Sequence, residues 1–276
     1  MQGISAVIIT FNEEKRIGSC LSSLQGIADE IIVMDSFSTD QTENICRQYG
    51  VKFLRQSWQG YGFQKNKAAG QASNDYILSL DADECLSDTL KQSILAEKKT
   101  GLSGVYMFSR LNNFYGKDLH HGNSYPDYAK RLYNKTMVKW SERPVHETLE
   151  IPAGNAVKKL KGDLLHRTKE SIEDHLSFIN KYSTLSARAY LENGKKASVF
   201  KLLVNPAFAF IKGYFFRFGF LDGYAGLIFA VISSHEVFLK YSKLLLLQKK
   251  QFKKSLFIFI RNKERPEEFR HYLRKK

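Results

Sequence analysis

Four carboxylates and one amide stand where predicted strands of the N-terminal half end. Asn12 and Glu13 follow the first apolar run, Asp35 follows the second, and Asp81 and Asp83 follow the fourth. In an open parallel sheet, ligands bind in the crevice beyond the carboxyl ends of the strands. We therefore expect one crevice to collect these five side chains into a ligand-binding site.

The pair Asp81 and Asp83 is the main candidate for metal chemistry. An Asp-x-Asp turn taken alone is as often merely solvated. Two carboxylates one residue apart can nevertheless share a hard cation, and magnesium keeps part of its coordination shell for substrate phosphates. Such a cation would stabilise the negative charge that a leaving diphosphate gains. Lys67, Lys65 or Arg131 could add a second positive contact to the diphosphate, although each taken alone is more often a surface charge.

Strands and helices alternate in the N-terminal part of the chain, which predicts an α/β fold with a mostly parallel sheet flanked by helices. Ser38 and Gln41 have the spacing of a capping box that opens a helix, and Gly50 should end it. The first strand lacks the Gly-rich fingerprint of dinucleotide-binding folds. The predicted strands are Ser5–Thr10, Glu30–Met34, Val51–Leu54 and Asp75–Leu80, and further helices carry Ile17, Leu21 and Leu24 or span Gln64–Ala72.

The pattern becomes mixed after the first hundred residues. Two further strands, Val105–Phe108 and Tyr128–Tyr133, enclose a long polar and aromatic loop, and loops of that length are usually functional. Ser171 and Asp174 have capping-box spacing before a long helix, which Asn193-Gly194 should close.

A catalytic domain over residues 1–195 is predicted to precede a helical C-terminal region over 196–276, in which aromatic, aliphatic and basic residues interleave. The most apolar part of that region, Tyr224–Ile232, is far shorter than the roughly 20 residues of a membrane-spanning helix. The pattern suits a helix in the head-group region, where rings enter the acyl boundary and basic side chains meet phosphates. A helical cap packed on the main domain fits the pattern equally well.

The formal net charge of +14 is large for 276 residues, and much of it follows Lys240. Anionic lipid, phosphorylated glycolipid and nucleic acid would each satisfy this charge, and a basic tail that is merely solvated is the alternative. The three cysteines are scattered without metal-binding or disulfide spacing, which favours a reducing compartment. The first residues lack the basic region and cleavage site of a secretory signal. We therefore expect a cytoplasmic protein.

Three stretches, Val7–Glu14, Val33–Asp40 and Leu78–Glu84, resemble in order the signature stretches of the family 2 glycosyltransferases. The resemblance covers roughly the first two thirds of the chain, and the ordered set is more specific than any one stretch. It implies a GT-A nucleotide-diphospho-sugar transferase fold with a helical C-terminal extension. It also implies a metal-dependent, inverting transfer from a UDP-sugar donor.

The resemblance assigns roles to single residues. Glu13 and Asp35 would contact the base and ribose, while Asp81 and Asp83 would contact ribose and a divalent metal, Mg or Mn. His166 could supply a third metal contact, although a lone histidine is more often a hydrogen-bonded structural residue. The full set of expected substrate-binding residues is Thr10, Asn12, Glu13, Asp35, Lys67, Asp81 and Arg131.

An inverting displacement needs a general base, because the acceptor hydroxyl must lose its proton as the new bond forms. The best candidate is Glu147 in the stretch Arg143–Glu147, with His146 and Asp127 as alternatives. That stretch resembles a subgroup that includes bacterial lipopolysaccharide core β-1,4-glucosyltransferases. The subgroup implies UDP-glucose as donor and an inner-core heptose of lipopolysaccharide as acceptor. It also implies a peripheral enzyme on the inner face of the cytoplasmic membrane.

Other functions remain open at the level of sequence. A nucleotidyltransferase would carry a Gly-rich, basic phosphate loop after the first strand, where this chain is acidic. A transferase for polyprenyl-linked acceptors is a rival within the same class. A non-enzymatic membrane or RNA-binding module is the third alternative, but the C-terminal aromatics come with long aliphatic runs, which makes nucleic acid an unlikely partner.

Overall fold

The computed structural model describes residues 2–114, 116–142, 147–169 and 171–264. The chain divides into two compact units, Met1–Glu170 and Ser171–Lys276. The division therefore falls before the long helix that starts at residue 172, whereas the sequence pattern puts it after that helix, at residue 195.

The first half of the first unit is the predicted alternation of strands and helices. Four parallel strands lie in the order β3-β2-β1-β4, with helices in the connections. All seven residues of β1 are buried, because packing covers both faces of the sheet. The elements are β1 (Ile4–Thr10), α1 (Ile17–Leu24), β2 (Glu30–Asp35), α2 (Thr42–Gln48), β3 (Lys52–Arg55), α3 (Tyr61–Gly70) and β4 (Tyr76–Asp81).

The second half of this unit continues the same sheet in mixed orientation, in the order β4-β8-β6-β11-β5. Strand β8 is antiparallel to both β4 and β6, while β11 is parallel to β6 and antiparallel to β5. The short β7 pairs with β6, and β9 pairs with β10 in a separate ladder. The elements are β5 (Glu84–Leu86), α4 (Asp88–Thr100), β6 (Val105–Phe114), β7 (Lys117–Asp118), β8 (Asp127–Asn134), β9 (Lys139–Trp140), β10 (Leu149–Glu150) and β11 (Val157–Lys169).

The apolar core lies in two clusters that share strand β1. Ala6 and Ile8 belong to one cluster, whereas Val7 and Ile9 belong to the other. This division follows from the strand, in which successive side chains point to opposite faces. Burial on both faces holds the carboxyl ends of the central strands in fixed register.

The predicted capping box at Ser38 and Gln41 is wrong. Helix α2 begins at Thr42, and its first turn has no side-chain cap from Gln41. The Ser38 hydroxyl instead donates to Asp35 Oδ1 at 2.5 Å and accepts from the backbone N–H of Asn12 at 2.8 Å. Ser38 therefore ties two loops together, because its oxygen is committed outside the helix.

The second unit is helical. The Ser171 hydroxyl accepts from the Asp174 N–H at 3.0 Å and so caps α5, as its spacing predicts. Asn193 closes α5, followed by Gly194 with a positive φ of 68°. The elements are α5 (Ile172–Glu192), α6 (Val199–Ile211), a π-helical turn (Lys212–Phe216), a 3-10 turn (Gly219–Asp222) and α7 (Gly223–Glu264).

One helical stretch in the described part of the chain, Val199–Phe216, is long and apolar enough to cross a membrane by length and composition alone. Its mean hydropathy is 1.3 over 18 residues, and only 11% of it is buried. The sequence pattern points instead to Tyr224–Ile232 as the most apolar part. The difference arises because Lys201 and Lys212 interrupt the earlier run, which is nevertheless one continuous helical stretch including the π-helical turn.

Candidate active site

The strand register brings the predicted site residues to one edge of the sheet. Thr10 at the end of β1 pairs with Asp35 at the end of β2, and Ile9 pairs with Asp81 at the end of β4. Leu132 of β8 pairs with Leu78, so the antiparallel direction of β8 carries Arg131 toward Asp81. The crevice at these strand ends is therefore lined from both the parallel and the mixed half of the sheet.

Asp81 is held by two cations. Its Oδ2 accepts from Arg131 Nη2 at 2.7 Å, and its Oδ1 lies 3.2 Å from Lys65 Nζ. Burial alone would raise the pKa of Asp81, but Arg131 and then Lys65 hold it well below its ordinary value. The Asp81 side chain is consequently a carboxylate at neutral pH, although it lies in the wall of the crevice.

Glu84 is the centre of this buried ionic network. Its side chain is fully buried and accepts from Arg131 Nη2 at 2.5 Å, while Arg110 Nη1 lies 3.5 Å away. Its second oxygen accepts from the Asp81 N–H at 3.0 Å. Burial would lower the pKa of Arg131, but Asp81 and Glu84 raise it above its usual value. Arg110 in turn pairs with Asp127 at 2.5 Å.

Lys65, rather than Lys67, reaches the site from helix α3. Its ammonium is buried, 3.1 Å from Glu147 Oε1, and lies 4.5 Å above the centre of the Trp140 ring. Lys67 is exposed, because two residues further along a helix the side chain points to nearly the opposite side. Glu147 is thus joined to Asp81 through Lys65, whereas the alternative base His146 lies outside the described residues.

Asp83 and His166 face each other across the crevice. His166 Nε2 lies 3.2 Å from Asp83 Oδ2, which is also 3.9 Å from Arg16 Nη1. The other ring nitrogen of His166 is 2.7 Å from Asn112 Oδ1, and the Asn112 amide nitrogen donates to the Ser124 carbonyl at 3.1 Å. The Asn112 oxygen must therefore accept from His166 Nδ1–H. With Nδ1 bonded to Asn112, Nε2 of His166 faces the Asp83 carboxylate, and together these two groups can serve as metal ligands.

The donor set at this position fits a divalent metal in part. Asp83 offers a hard oxygen, and His166 offers the ring nitrogen Nε2. The other ring nitrogen, Nδ1, is already hydrogen-bonded, as in most histidine metal ligands. Within the described ranges, however, no three His, Cys, Asp or Glu side chains gather as a ready ligand group. The carboxylate of Asp81, the third predicted ligand, is engaged by Lys65 and Arg131.

The predicted nucleotide-binding residues are built into two loops that bond to each other. Asn12 Oδ1 accepts from the Thr39 N–H, and the Glu13 N–H donates to Thr42 Oγ1, both at 2.8 Å. Both oxygens of the buried Asp35 accept from Ser38, one from its hydroxyl and one from its N–H. These residues therefore fix the loop geometry beside the crevice.

The Thr10 hydroxyl differs from its neighbours in the loops. It is buried and has no hydrogen-bond partner among the residues that the structure describes. An unsatisfied buried hydroxyl at the end of a central strand is costly, so it marks a position where a ligand group can be bound.

The sequence pattern overlooked Glu84, Arg110, Asn112 and Trp140. Glu84 stands directly after the predicted Asp81 and Asp83 pair, so its position in the motif was the available signal. Arg110 and Asn112 lie on β6, beyond the four residues of this strand that the apolar pattern identifies. Their roles depend on contacts with β8 and β11, which local sequence does not reveal.

Comparison with known proteins gives a consistent result. The sequence model described as Glycosyl transferase family 2 matches residues 5–151. An uncharacterized glycosyltransferase of Rickettsia typhi is 32% identical over 254 residues, covering 88% of this chain and 87% of that protein. The lipopolysaccharide core biosynthesis glycosyltransferase LpsC of Rhizobium meliloti is 29% identical, covering 87% and 93%. The structure of S. aureus TarS 1-349 in complex with UDP-GlcNAc is 18% identical, with a TM-score of 0.45, covering 69% and 67%.

Proposed function

Because this chain belongs to the glycosyl transferase family 2 and is a glycosyltransferase of the GT-A type, we propose that it transfers a hexose from a UDP-sugar with inversion and with a divalent cation. The observation that carries the proposal is the row of charged groups along the crevice. It runs from Asp83 and His166 to Asp81, and through Lys65 to Glu147.

The donor end of the site is the part of the crevice around Asp83. In the proposal, Asp83 and His166 hold Mg²⁺ or Mn²⁺, and the donor diphosphate completes the coordination. A cation bound there supplies electrostatic stabilisation for the charge that develops on the leaving diphosphate. The nucleoside lies against the two bonded loops, where Thr10, Glu13 and Asp35 offer polar contacts.

In the proposal, Asp81, Arg131 and the two loops shape the donor site and do not take part in the reaction. Arg131 and Lys65 neutralise Asp81, so the wall of the crevice carries little net charge next to the incoming diphosphate. Asn12 holds the loop that carries Glu13. The buried Lys65 is engaged by Asp81 and Glu147, and the exposed Lys67 lies on another side of α3, so neither makes the predicted diphosphate contact in this proposal.

Glu147 is the proposed general base at the acceptor end. Its carboxylate accepts a hydrogen bond from Lys65 Nζ at 3.1 Å, which restrains its position, and its side chain is still 19% exposed. A restrained but accessible carboxylate can accept the proton of an acceptor hydroxyl. The alternative Asp127 accepts two hydrogen bonds from Arg110 at its Oδ2, at 2.5 and 2.8 Å, and, among the described residues, has no contact with Lys65 or Asp81 that would tie it to the donor end.

The acceptor class is proposed from a named relative, and the donor sugar from the subgroup resemblance. LpsC of Rhizobium meliloti is named for lipopolysaccharide core biosynthesis, and it matches 87% of this chain. That name supports an acceptor of the lipopolysaccharide core. From the subgroup that the stretch Arg143–Glu147 resembles, we propose glucose from UDP-glucose as the transferred sugar and an inner-core heptose as the acceptor. Such an acceptor places the enzyme at the inner face of the cytoplasmic membrane.

A donor screen tests the proposal. UDP release should appear with UDP-glucose and a truncated lipopolysaccharide core, should require Mg²⁺ or Mn²⁺ and should stop with a chelator. A polyprenyl-linked sugar used as the alternative acceptor would reveal the rival specificity. Absence of metal-dependent binding of every UDP-sugar, together with salt-sensitive binding of RNA, would overturn the proposal.

Asp83→Asn should abolish metal-dependent transfer while leaving the fold unchanged, because it removes one negative ligand at constant side-chain volume. Asp88→Asn is the matched control, since the Asp88 side chain is 96% exposed and its ion pair with Lys91 lies at the surface. Near-normal turnover of the Asp83 variant at saturating donor would refute the metal role of this residue.

A further inference from the structure

From the second unit we infer that the helical hairpin of residues 195–248 docks on an anionic phospholipid membrane and lies in the plane of its head groups without spanning it. The membrane-docking hairpin consists of α6, the π-helical and 3-10 turns, and the first part of α7. This inference does not rest on the transferase chemistry, since the hairpin belongs to the unit that begins at Ser171.

Hydrogen bonds show that α6 and α7 run back along each other. The Ser234 hydroxyl donates to the Pro206 carbonyl at 2.9 Å, between residues 28 apart in the chain. The Ala197 N–H donates to Gln248 Oε1 at 3.1 Å, between residues 51 apart. The number of residues between the bonded partners increases with distance from the turn, as it must in an antiparallel hairpin.

Glycines make the turn of the hairpin tight. A Cβ on Gly226 would lie 2.0 Å from the Gly219 carbonyl oxygen, and a Cβ on Gly219 would lie 2.7 Å from that of Gly213. Both distances are shorter than any real contact, so only glycine allows the two turns and the start of α7 to approach this closely. The turn is therefore a compact element that carries its side chains outward.

The hairpin exposes large apolar side chains along both arms. Phe200 on the first arm is 72% exposed, Phe216 in the π-helical turn is 68% exposed, and Tyr224 at the start of the second arm is 65% exposed. Exposed residues recur three or four positions apart, which gives each arm an apolar stripe. The other large apolar residues of the hairpin that are exposed include Leu203, Phe208, Ile211, Phe215, Phe218, Phe220, Leu221, Leu227 and Val231. Contiguous apolar surface of this kind marks an interaction site.

The charge of the hairpin selects an anionic partner. Residues 195–221 contain five basic residues and no acidic residue, and the first acidic residue after them, Asp222, is 5% exposed. Lys212 and Arg217 stand among the exposed phenylalanines of the turn. Rings in the acyl boundary with basic groups on lipid phosphates satisfy both features at once.

The spacing of the charged residues along the hairpin limits how deeply it can enter the membrane. Ten residues separate Lys201 from Lys212 on the first arm, which is about 15 Å of helix. Thirteen residues separate Asp222 from Glu236 on the second arm, or about 20 Å. The hydrocarbon core is about 30 Å thick, so a spanning hairpin would bury charged groups inside it. An in-plane hairpin keeps its exposed basic groups at the head groups.

Vesicle co-sedimentation of the full chain tests the docking surface. The protein should sediment with vesicles that contain phosphatidylglycerol and should bind pure phosphatidylcholine vesicles at least tenfold more weakly. Phe200→Ser with Phe216→Ser should reduce binding to the anionic vesicles at least tenfold. Lys212→Glu with Arg217→Glu should do the same, whereas Lys99→Glu with Lys161→Glu, an equal charge change on exposed residues of the first unit, should not.

The depth of the hairpin in the membrane is measured from the quenching of tryptophan fluorescence by brominated lipids in the Phe216→Trp variant. The added fluorescence should be quenched more by bromine near the head group than by bromine near the acyl terminus. Stronger quenching by the deep label would overturn the in-plane arrangement.

Equal binding by wild type and both hairpin variants would overturn the docking surface, with helicity by circular dichroism excluding misfolding. If the wild type bound no vesicles but formed a dimer in sedimentation velocity, and only Phe200→Ser with Phe216→Ser dissociated that dimer, the partner of the hairpin would be a second copy of the chain. If the wild type bound RNA but no vesicles, and Lys212→Glu with Arg217→Glu abolished the RNA binding, nucleic acid would be the partner of the hairpin. UDP release with a soluble acceptor fragment should be unchanged in these variants, which separates this test from that of the transferase activity.

Discussion

Glu84→Gln should destabilise the first unit by about 3 kcal/mol. Removal of one partner from a buried ion pair costs about 3–5 kcal/mol, because it leaves the other charge uncompensated. Glu84 is fully buried and serves both Arg131 and Arg110. We expect the lower end of the range, because Arg131 keeps its 2.7 Å contact with Asp81 and the glutamine oxygen can still accept a hydrogen bond.

Urea unfolding followed by tryptophan fluorescence measures this change in the relevant unit. The only two tryptophans of the chain, Trp58 and Trp140, both belong to the first unit, so the signal reports its unfolding alone. Trp140 is buried next to Lys65 and is therefore a direct reporter of the network. In thermal unfolding, 3 kcal/mol corresponds to a decrease of about 6–12 °C in Tm for a unit of this size.

Glu150→Gln is the matched control, because Glu150 is half exposed and lies 3.9 Å from Lys139. It should change the free energy of unfolding by no more than about 0.5 kcal/mol. The reasoning is refuted if Glu84→Gln and Glu150→Gln unfold at the same urea concentration with the same slope. That result would mean that Arg131 and Arg110 find other compensation within the fold.

Two more predictions concern Glu147 and Asp81. Glu147→Gln should lower kcat about 10²–10⁴-fold with an unchanged donor KM, as expected for loss of a general base; normal turnover combined with an inactive His146→Ala variant would reassign the base. Arg131 and Lys65 hold the pKa of Asp81 below its ordinary value despite burial. Its stabilising contribution is therefore complete above its unfolded pKa of about 3.9 and is lost as pH falls through the lower folded value. The urea concentration at the unfolding midpoint of the first unit should decrease as the pH is lowered below about 4. If the Asp81→Asn variant lost stability over the same pH range as strongly as the wild type, Asp81 would not be the cause.

Strand ends in the first half could be predicted because local information determines them. The apolar run that makes β4 ends at Asp81, and the run that makes β2 ends at Asp35, so both carboxylates were found at the correct edge of the sheet. The parallel half needs only the alternation of strand and helix. By contrast, β8 lies between β4 and β6, and no local pattern indicates this insertion.

The choice of side-chain partners was the part that the sequence could not provide. Lys65 and Lys67 are equivalent by composition, and only the start of α3 at Tyr61 decides which one faces the crevice. Arg110 could be paired with Glu84 and Asp127 only after β6 and β8 had been aligned. Ser38 had two possible uses, a helix cap and a bond to Asp35, and the neighbouring loop decided between them.

The bonds between the two donor-side loops limit how this site can be re-engineered. Ser38 accepts from Asn12, Asn12 accepts from Thr39, and Thr42 accepts from Glu13, so each loop supplies the hydrogen-bond partners of the other. Grafting one loop from a relative would leave several polar groups of the remaining loop without partners. A change of nucleotide preference would therefore require residues 12–14 and 38–42 to be transplanted together, as a single cassette.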